Sequence, residues 1–166
     1  MADDVSLETG RHELVGELEP LWLSLFQHHR AVGPGPFITE EKSWPIRRRF
    51  YEGVLAHPQA FVVLARRGRR PVGYAVVAMH AGPDDTWPTG DTMAEVESLA
   101  VLPAERGAGL GTRLLDAVDE RLAELGVTCL FIGVMTGNDD ALRFYERRGL
   151  TPVLTKLMRV DTPGTS

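Results

Sequence analysis

The feature that most constrains this chain is the passage Leu99-Ala100-Val101-Leu102-Pro103-Ala104-Glu105-Arg106-Gly107-Ala108-Gly109-Leu110-Gly111-Thr112. A β-prone run gives way there to alternating glycines, and Leu110, Leu114, Val118, Leu122 and Leu125 then recur at helical spacing. A strand, a glycine turn and a helix N-terminus in that order form an anion cradle. Unpaired backbone N–H groups and the positive end of the helix dipole favour phosphate there, and glycine permits positive φ without a Cβ clash. Arg106 adds a full positive charge and Thr112 a hydroxyl, which suits a pyrophosphate better than a single carboxylate.

Two familiar phosphate sites fail on spacing. A P-loop needs Lys followed by Ser or Thr after its last glycine, whereas Gly111 is followed by Thr112-Arg113. A dinucleotide fold wants an acidic residue about 20 positions onward at the end of the next strand, where this chain has Phe131 and Ile132.

Around the cradle, the pattern implies a mixed α/β domain. Leu14, Leu18, Leu21, Trp22, Leu25 and Phe26 predict a first helix before the breakers Gly33-Pro34-Gly35-Pro36. A second, capped by Thr39 or Ser43, passes through Phe50, Tyr51, Val54 and Leu55 and stops near His57-Pro58. Both helices are expected to precede the sheet. Ala60 to Ala65 and Val72 to Met79 read as a hairpin around a charged turn, followed by a breaker-rich loop from His80 to Asp91 and a strand from Met93 to Val101. Gly126 ends the long helix, Thr128 to Met135 form a buried strand, Asn138 to Arg148 a short helix, and Thr151 to Val160 a last strand. The expected fold is a mixed sheet with antiparallel and parallel pairing. One domain spans residues 5–160, with a flexible tail at 161–166.

Composition narrows the function classes. Hydrophobic residues at 43% and charged residues at 25% describe an ordinary globular core. The formal net charge of −5 offers little attraction for nucleic acid or an anionic membrane and mildly favours a cationic or neutral substrate. Cys129 is the sole cysteine, so neither an internal disulfide nor a thiolate metal cluster can form, and its apolar neighbours mark it as a core filler. With no signal-peptide pattern and no apolar run of spanning length, a cytoplasmic location is expected. No metal site is expected: His28-His29 diverge on a helix and lack a third ligand at suitable spacing. Arg47-Arg48-Arg49 and the arginines from 66 to 70 read as solvated surface.

The stretch from Val101 to Thr112 resembles the acetyl-CoA signature of the GNAT superfamily of N-acetyltransferases. Asn138-Asp139-Asp140-Ala141-Leu142-Arg143-Phe144-Tyr145, continuing to Gly149-Leu150, resembles the second motif of that family at the expected distance, and together the motifs cover roughly a third of the chain. The resemblance implies a central, mostly antiparallel sheet with a splayed parallel strand pair and about four flanking helices, in which a bulged fourth strand leaves backbone groups free for the pantetheine arm. It implies that the backbone of Leu99, Ala100 and Val101 holds pantetheine, that Arg106, Gly107, Ala108, Gly109, Leu110, Gly111 and Thr112 hold the pyrophosphate, and that Asn138 touches the cofactor arm. The implied activity is direct attack of a primary amine on the thioester of acetyl-CoA, with no protein nucleophile and no metal.

In that reading Tyr145 matches the family's general acid, near the CoA sulfur. Glu95 and Glu97 alternate on the strand face shared with Met93 and Leu99, and two carboxylates so close raise each other's proton affinity. Glu97 matches a frequent base position of polyamine acetyltransferases, and Glu95 the position used in histone acetyltransferases. The chain departs from many peptide-acetylating relatives in carrying Gly133 where they carry a fifth-strand glutamate. Trp44, Phe50 and Tyr51 are open to two readings, an acceptor wall or core packing. The acceptor is left open between a small amine, slightly favoured, and a peptide amine. A non-catalytic acyl-CoA-binding module is the alternative, and a homodimer is compatible with the sequence but not shown by it.

Overall fold

The computed structural model describes residues 4–161, which form five strands and four α-helices. The order is β1 (Val5–Gly10), α1 (Glu19–Val32), α2 (Glu40–Val54), β2 (Phe61–Arg67), β3 (Arg70–Ala81), β4 (Thr92–Val101), α3 (Leu110–Leu125), β5 (Cys129–Ile132) and α4 (Asp139–Arg147), with short 3-10 turns at His12–Glu17 and Pro103–Glu105. The strands lie in the order β1-β2-β3-β4-β5, antiparallel throughout except for the parallel pair of β4 and β5.

Both faces of the sheet are covered, which is why β2 reads as a continuous apolar run and not as an alternation. Phe61, Val63 and Ala65 enter one core with Ala75, Val77, Ala94 and Val96, sealed by Leu114, Leu115 and Val118 of α3. Val62 and Leu64 enter the other with Tyr74, Val76 and the α1–α2 residues Leu21, Trp22 and Tyr51. Each fully buried aliphatic side chain of this kind contributes about 1.5–3 kcal/mol. The apolar stripe of α3 is the helix-spaced set seen in the sequence, and it seats the N-terminus of that helix at the end of β4.

Three expectations are corrected. The chain opens on a strand: β1 pairs with β2 at the sheet edge, held further by ion pairs from Arg66 to Glu8 and Glu17. Leu14 and Leu18 consequently belong to the 3-10 turn and the start of α1, which begins only at Glu19. Arg11 locks this entry by donating to the carbonyls of Leu55, His57, Pro58 and Ala60. The buried strand after α3 is four residues long, ending at Ile132 where Met135 was expected. The last strand is absent: residues 151–161 have no regular secondary structure, are exposed and are unpaired with the sheet. All of the expected tail beyond Asp161 lies outside the described residues.

Candidate active site

The parallel ladder between β4 and β5 runs from Met93 opposite Cys129 only as far as Val96 opposite Ile132. Beyond Val96, β4 continues to Val101 on β3 alone, so the sheet opens along Glu97 to Val101 and leaves that backbone edge of β4 without a strand partner. The opening coincides with a bulge. Val76 pairs with Ser98 and Val77 with Val96, leaving Glu97 as the extra residue.

The bulge also reverses the side-chain alternation. Ala94 and Val96 belong to the core under α3, whereas Ala100 belongs to the core under α1 and α2, and Leu99 packs on the α3 side. The expectation that Leu99 shares a face with Glu95 is therefore corrected: the extra residue switches the faces, because strand alternation has a period of two. The same switch gathers Glu95, Glu97 and Ser98 toward the α1–α2 side.

On that side, His80 of β3 approaches both carboxylates, with Nε2 2.9 Å from Glu95 and 4.0 Å from Glu97. Burial first, and the neighbouring Glu95 charge second, push the Glu97 carboxyl above its usual range, against smaller opposing contributions from His80 and Arg47. Glu97 is the more sheltered of the two carboxylates, with a side chain 17% exposed against 37% for Glu95. Beneath it a hydroxyl network fixes the bulge: Ser98 Oγ donates to the Glu97 carbonyl at 2.8 Å, and Tyr51 bonds Ser98 at 2.6 Å and Tyr74 at 2.9 Å. Arg47 is half-buried with its guanidinium 3.9 Å from the Trp22 ring, so one of the three consecutive arginines is part of this wall. Trp44 and Tyr51 are core residues, and Phe50 is 41% exposed.

On the opposite face, Tyr145 projects from α4 into the core under α3, and burial pushes its phenol up to about 12. It therefore stays protonated, and can donate, across the pH range in which a folded protein works. Phe144, adjacent on the helix, sits with its ring centroid 5.2 Å away, partly buried against the same core. Asn138 caps α4, its Oδ1 accepting from Ala141 N at 3.4 Å and lying 3.3 Å from His28 Nε2. The sheet opening is what separates the Glu97 side from the Tyr145 side.

At the end of β4, Gly107 and Gly109 adopt φ of 81° and 79°, the left-handed region that a side chain strains. Gly109 is the N-cap of α3, and no acidic residue occupies the first turn of that helix. Glu105, the one nearby carboxylate in the turn, is drawn away into ion pairs with Arg67 at 2.7 Å and Arg70 at 3.8 Å, which hold its carboxyl below the usual range. Arg106 Nε donates to the Val101 carbonyl at 3.1 Å, and Arg106 through Gly109 and Thr112 are exposed. The turn thus presents backbone N–H groups and positive charge to solvent, which fits a pyrophosphate.

The sequence reading located both carboxylates, Tyr145 and the glycine turn, but missed His80, Ser98 and Tyr74. In the sequence His80 reads as the start of a loop, because the breakers after it obscure the last two residues of β3. Among the described residues, His80, Glu95 and Glu97 are also the one set of donors able to meet a cation, with ligand atoms within 4.8 Å of one another. Two of the three side chains are more than a third exposed, a setting in which such groups are common without an ion.

A five-stranded sheet that splits at a bulge over a glycine-capped helix defines the GNAT class of fold, and comparison with known proteins agrees. The chain belongs to the acetyltransferase (GNAT) family, which it matches across residues 22–150. It is 31% identical to a mycothiol acetyltransferase of Thermobispora bispora over 138 residues, which is 82% of this chain and 44% of that protein. The chain thus spans about half the length of the curated relatives it matches. A GCN5-related N-acetyltransferase from Ralstonia eutropha superposes with a TM-score of 0.77 at 16% identity, covering 95% of this chain and 99% of that one. An aminoglycoside N-acetyltransferase solved in complex with CoA gives 0.72 at 13% identity, covering 95% of each. Acetyl-CoA is the acyl donor of the family. No described helix is long and apolar enough to cross a membrane.

Proposed function

We propose that this chain transfers the acetyl group of acetyl-CoA to a primary amine. The observation that carries the reading is the split of β4 from β5 after Val96, with Glu97 at the bulge on one face and Tyr145 on the other. The donor supplies a thioester whose carbonyl the amine attacks, so that a C–N bond forms, the C–S bond breaks and CoA leaves as its thiolate.

The residues divide the remaining work. The free edge of β4 from Leu99 through Ala100 to Val101 holds the pantetheine arm in the manner of an added strand. Arg106 and the turn Gly107-Ala108-Gly109, with the first backbone N–H groups of α3 at Leu110, Gly111 and Thr112, hold the pyrophosphate. Asn138, as the cap of α4, borders the arm. Glu97 removes the proton that an alkylammonium carries at neutral pH, with Glu95 beside it toward solvent and His80 acting on the pair through its charge. Tyr145 donates its phenolic proton to the departing sulfur. The raised Glu97 carboxyl makes its carboxylate a stronger base than a free one, and the Tyr145 phenol is protonated as a donor must be.

The acceptor we favour is a small cationic amine, since Glu95 and Glu97 concentrate negative charge at the opening and the whole chain carries −5. A mycothiol acetyltransferase and an aminoglycoside N-acetyltransferase among the related proteins are named for small molecules, in keeping with that preference. The test is thiol release from acetyl-CoA across polyamines, aminoglycosides, amino sugars, amino acids and peptide N-termini. Turnover confined to one amine class, and abolished in Glu97→Gln, is expected. Tight CoA binding with no turnover on any amine would replace this reading with a non-catalytic acyl-CoA-binding module.

A further inference from the structure

The sheet face that carries Glu95 extends past the carboxylates onto β5. In the parallel ladder Glu95 lies opposite Phe131 and Met93 opposite Cys129, and residues opposite one another point to the same face. Leu130 and Ile132 turn to the α3 core, whereas Phe131 turns away from it and meets the ring of Trp87, with centroids 6.1 Å apart and planes at 61°. Met93, Cys129 and Phe131 thus floor a half-buried strip that leads from Glu95 to Trp87.

Trp87 is 36% exposed, the one tryptophan of three that lies outside a core, and its loop is nevertheless built to hold it. Gly82 N donates to the Asp91 carbonyl at 2.8 Å, and a Cβ at Gly82 would strike the Gly90 carbonyl, so the two ends of the β3–β4 connection close tightly. Asp84 Oδ1 accepts from the backbone N–H groups of Thr86 at 2.8 Å and Trp87 at 3.1 Å. The buried Thr89 hydroxyl accepts from Asp84 N at 2.9 Å. An aromatic pair fixed in this way at the end of a charged strip offers its π faces to a ligand.

Negative charge stands at both ends of the strip. Glu95 and Glu97 occupy one end, where the opposing cations are His80 and Arg47. At the other end, burial first and the Asp84 charge second push the Cys129 thiol up, which places negative potential beside Phe131 and Trp87. Between the ends, Met93 and Phe131 supply apolar surface. A chain that leaves its reacting amine at Glu97 and follows this strip brings its far end to aromatic faces and a carboxylate together, a pairing that favours a cation over a neutral group.

We propose that Trp87 and Phe131 form the specificity subsite for the acceptor, holding a second cationic group of an alkylamine whose first amine is acetylated at Glu97. The preferred acceptor is then charged at both ends with an apolar chain between them. Such a subsite rests on the acetyl transfer proposed above, and it selects the acceptor without touching the thioester.

The test compares thiol release from acetyl-CoA with unbranched monoamines and with diamines of the same chain length. Wild type is expected to favour the diamine. Trp87→Leu, which keeps apolar bulk and removes the π face, should reduce that preference in kcat/KM by about 2–30-fold, and Trp87→Phe should retain most of it. A second readout needs no turnover. Trp22 and Trp44 are buried, so acrylamide quenching of fluorescence reports on Trp87, and a diamine added to the CoA complex should shield it; Trp87→Phe should lose the signal. Shielding by the diamine with no turnover of any amine would sink the acetyl transfer and leave the subsite standing. A diamine preference equal in wild type and Trp87→Leu, or a diamine that shields Trp87 no better than the monoamine, would overturn the subsite and leave acetyl transfer untouched.

Discussion

The proposed cofactor cradle and the proposed proton-handling groups are built on different plans. The cradle beyond β4 is a single run of seven residues, Arg106 to Thr112, that acts through backbone N–H groups and two left-handed glycines. The groups proposed to handle protons come from both faces: His80 on β3, Glu95 and Glu97 on β4, Arg47 and Tyr51 on α2, and, across the sheet, Tyr145 on α4. One side is local and made of backbone; the other is non-local and made of side chains. Damage to the first should therefore appear as lost affinity for acetyl-CoA, and damage to the second as lost turnover and an altered pH profile.

The sharpest way to break that division is Glu97→Gln. Removing a general base costs about 10²–10⁴-fold in kcat/KM for the amine, while affinity for CoA should hold. The base works only when deprotonated, so the wild-type rate must fall as pH drops through the Glu97 carboxyl, which burial and Glu95 set above the usual carboxylate range. The variant should lose that acid limb. A parallel loss of CoA affinity would show that Glu97 supports the cradle, and the two sides would not be separable.

Tyr145→Phe should cost somewhat less, about 10²-fold in kcat, at the lower end of what a proton donor supplies. With its phenol at about 12, Tyr145 remains a donor, and no decline of its making should appear in the wild-type rate at lower pH. An alkaline limb well below that value that vanishes in Tyr145→Phe would mean a phenol exposed to solvent, contrary to its packing in the α3 core.

Gly109→Ala tests the other side. Forcing an alanine into the left-handed region costs about 1–2 kcal/mol, or roughly 5–30-fold in CoA affinity if the strain is relieved by distorting the turn. Titration calorimetry with CoA measures the loss, and kcat at saturating donor should stay near that of the wild type. Space does not limit this position, because a Cβ there meets nothing within 4 Å, so the effect isolates backbone conformation.

The same contrast explains what could be read before the structure was known. The cradle was legible because its physics lies within one window: a strand, glycines and an amphipathic stripe. Glu95 and Glu97 were legible as a pair and the family resemblance implied a bulge in their strand, but its place at Glu97 was not legible, since a register shift depends on β3 and leaves no mark on β4 itself. β1 was hidden because six residues with an acidic side chain in their midst and a terminal glycine gain their stability from β2 and from Arg66. The segment after Gly149 reads as a strand from Thr151 to Val160 and forms none, because a strand needs a partner that composition does not name.

His80→Ala should produce the smallest effect and the most informative one. When protonated, His80 favours the charged form of Glu97, so its removal should raise the Glu97 carboxyl further and move the acid limb to higher pH, by less than about one unit. Above that limb Glu97 is deprotonated with or without the histidine, and the plateau rate should be nearly unchanged. That outcome makes His80 a positioning residue that acts through a charge. A plateau that falls with the limb unmoved would instead place His80 on the path of the proton, 2.9 Å from Glu95 and facing solvent, and the proton side would extend one strand further from the cradle than Glu97.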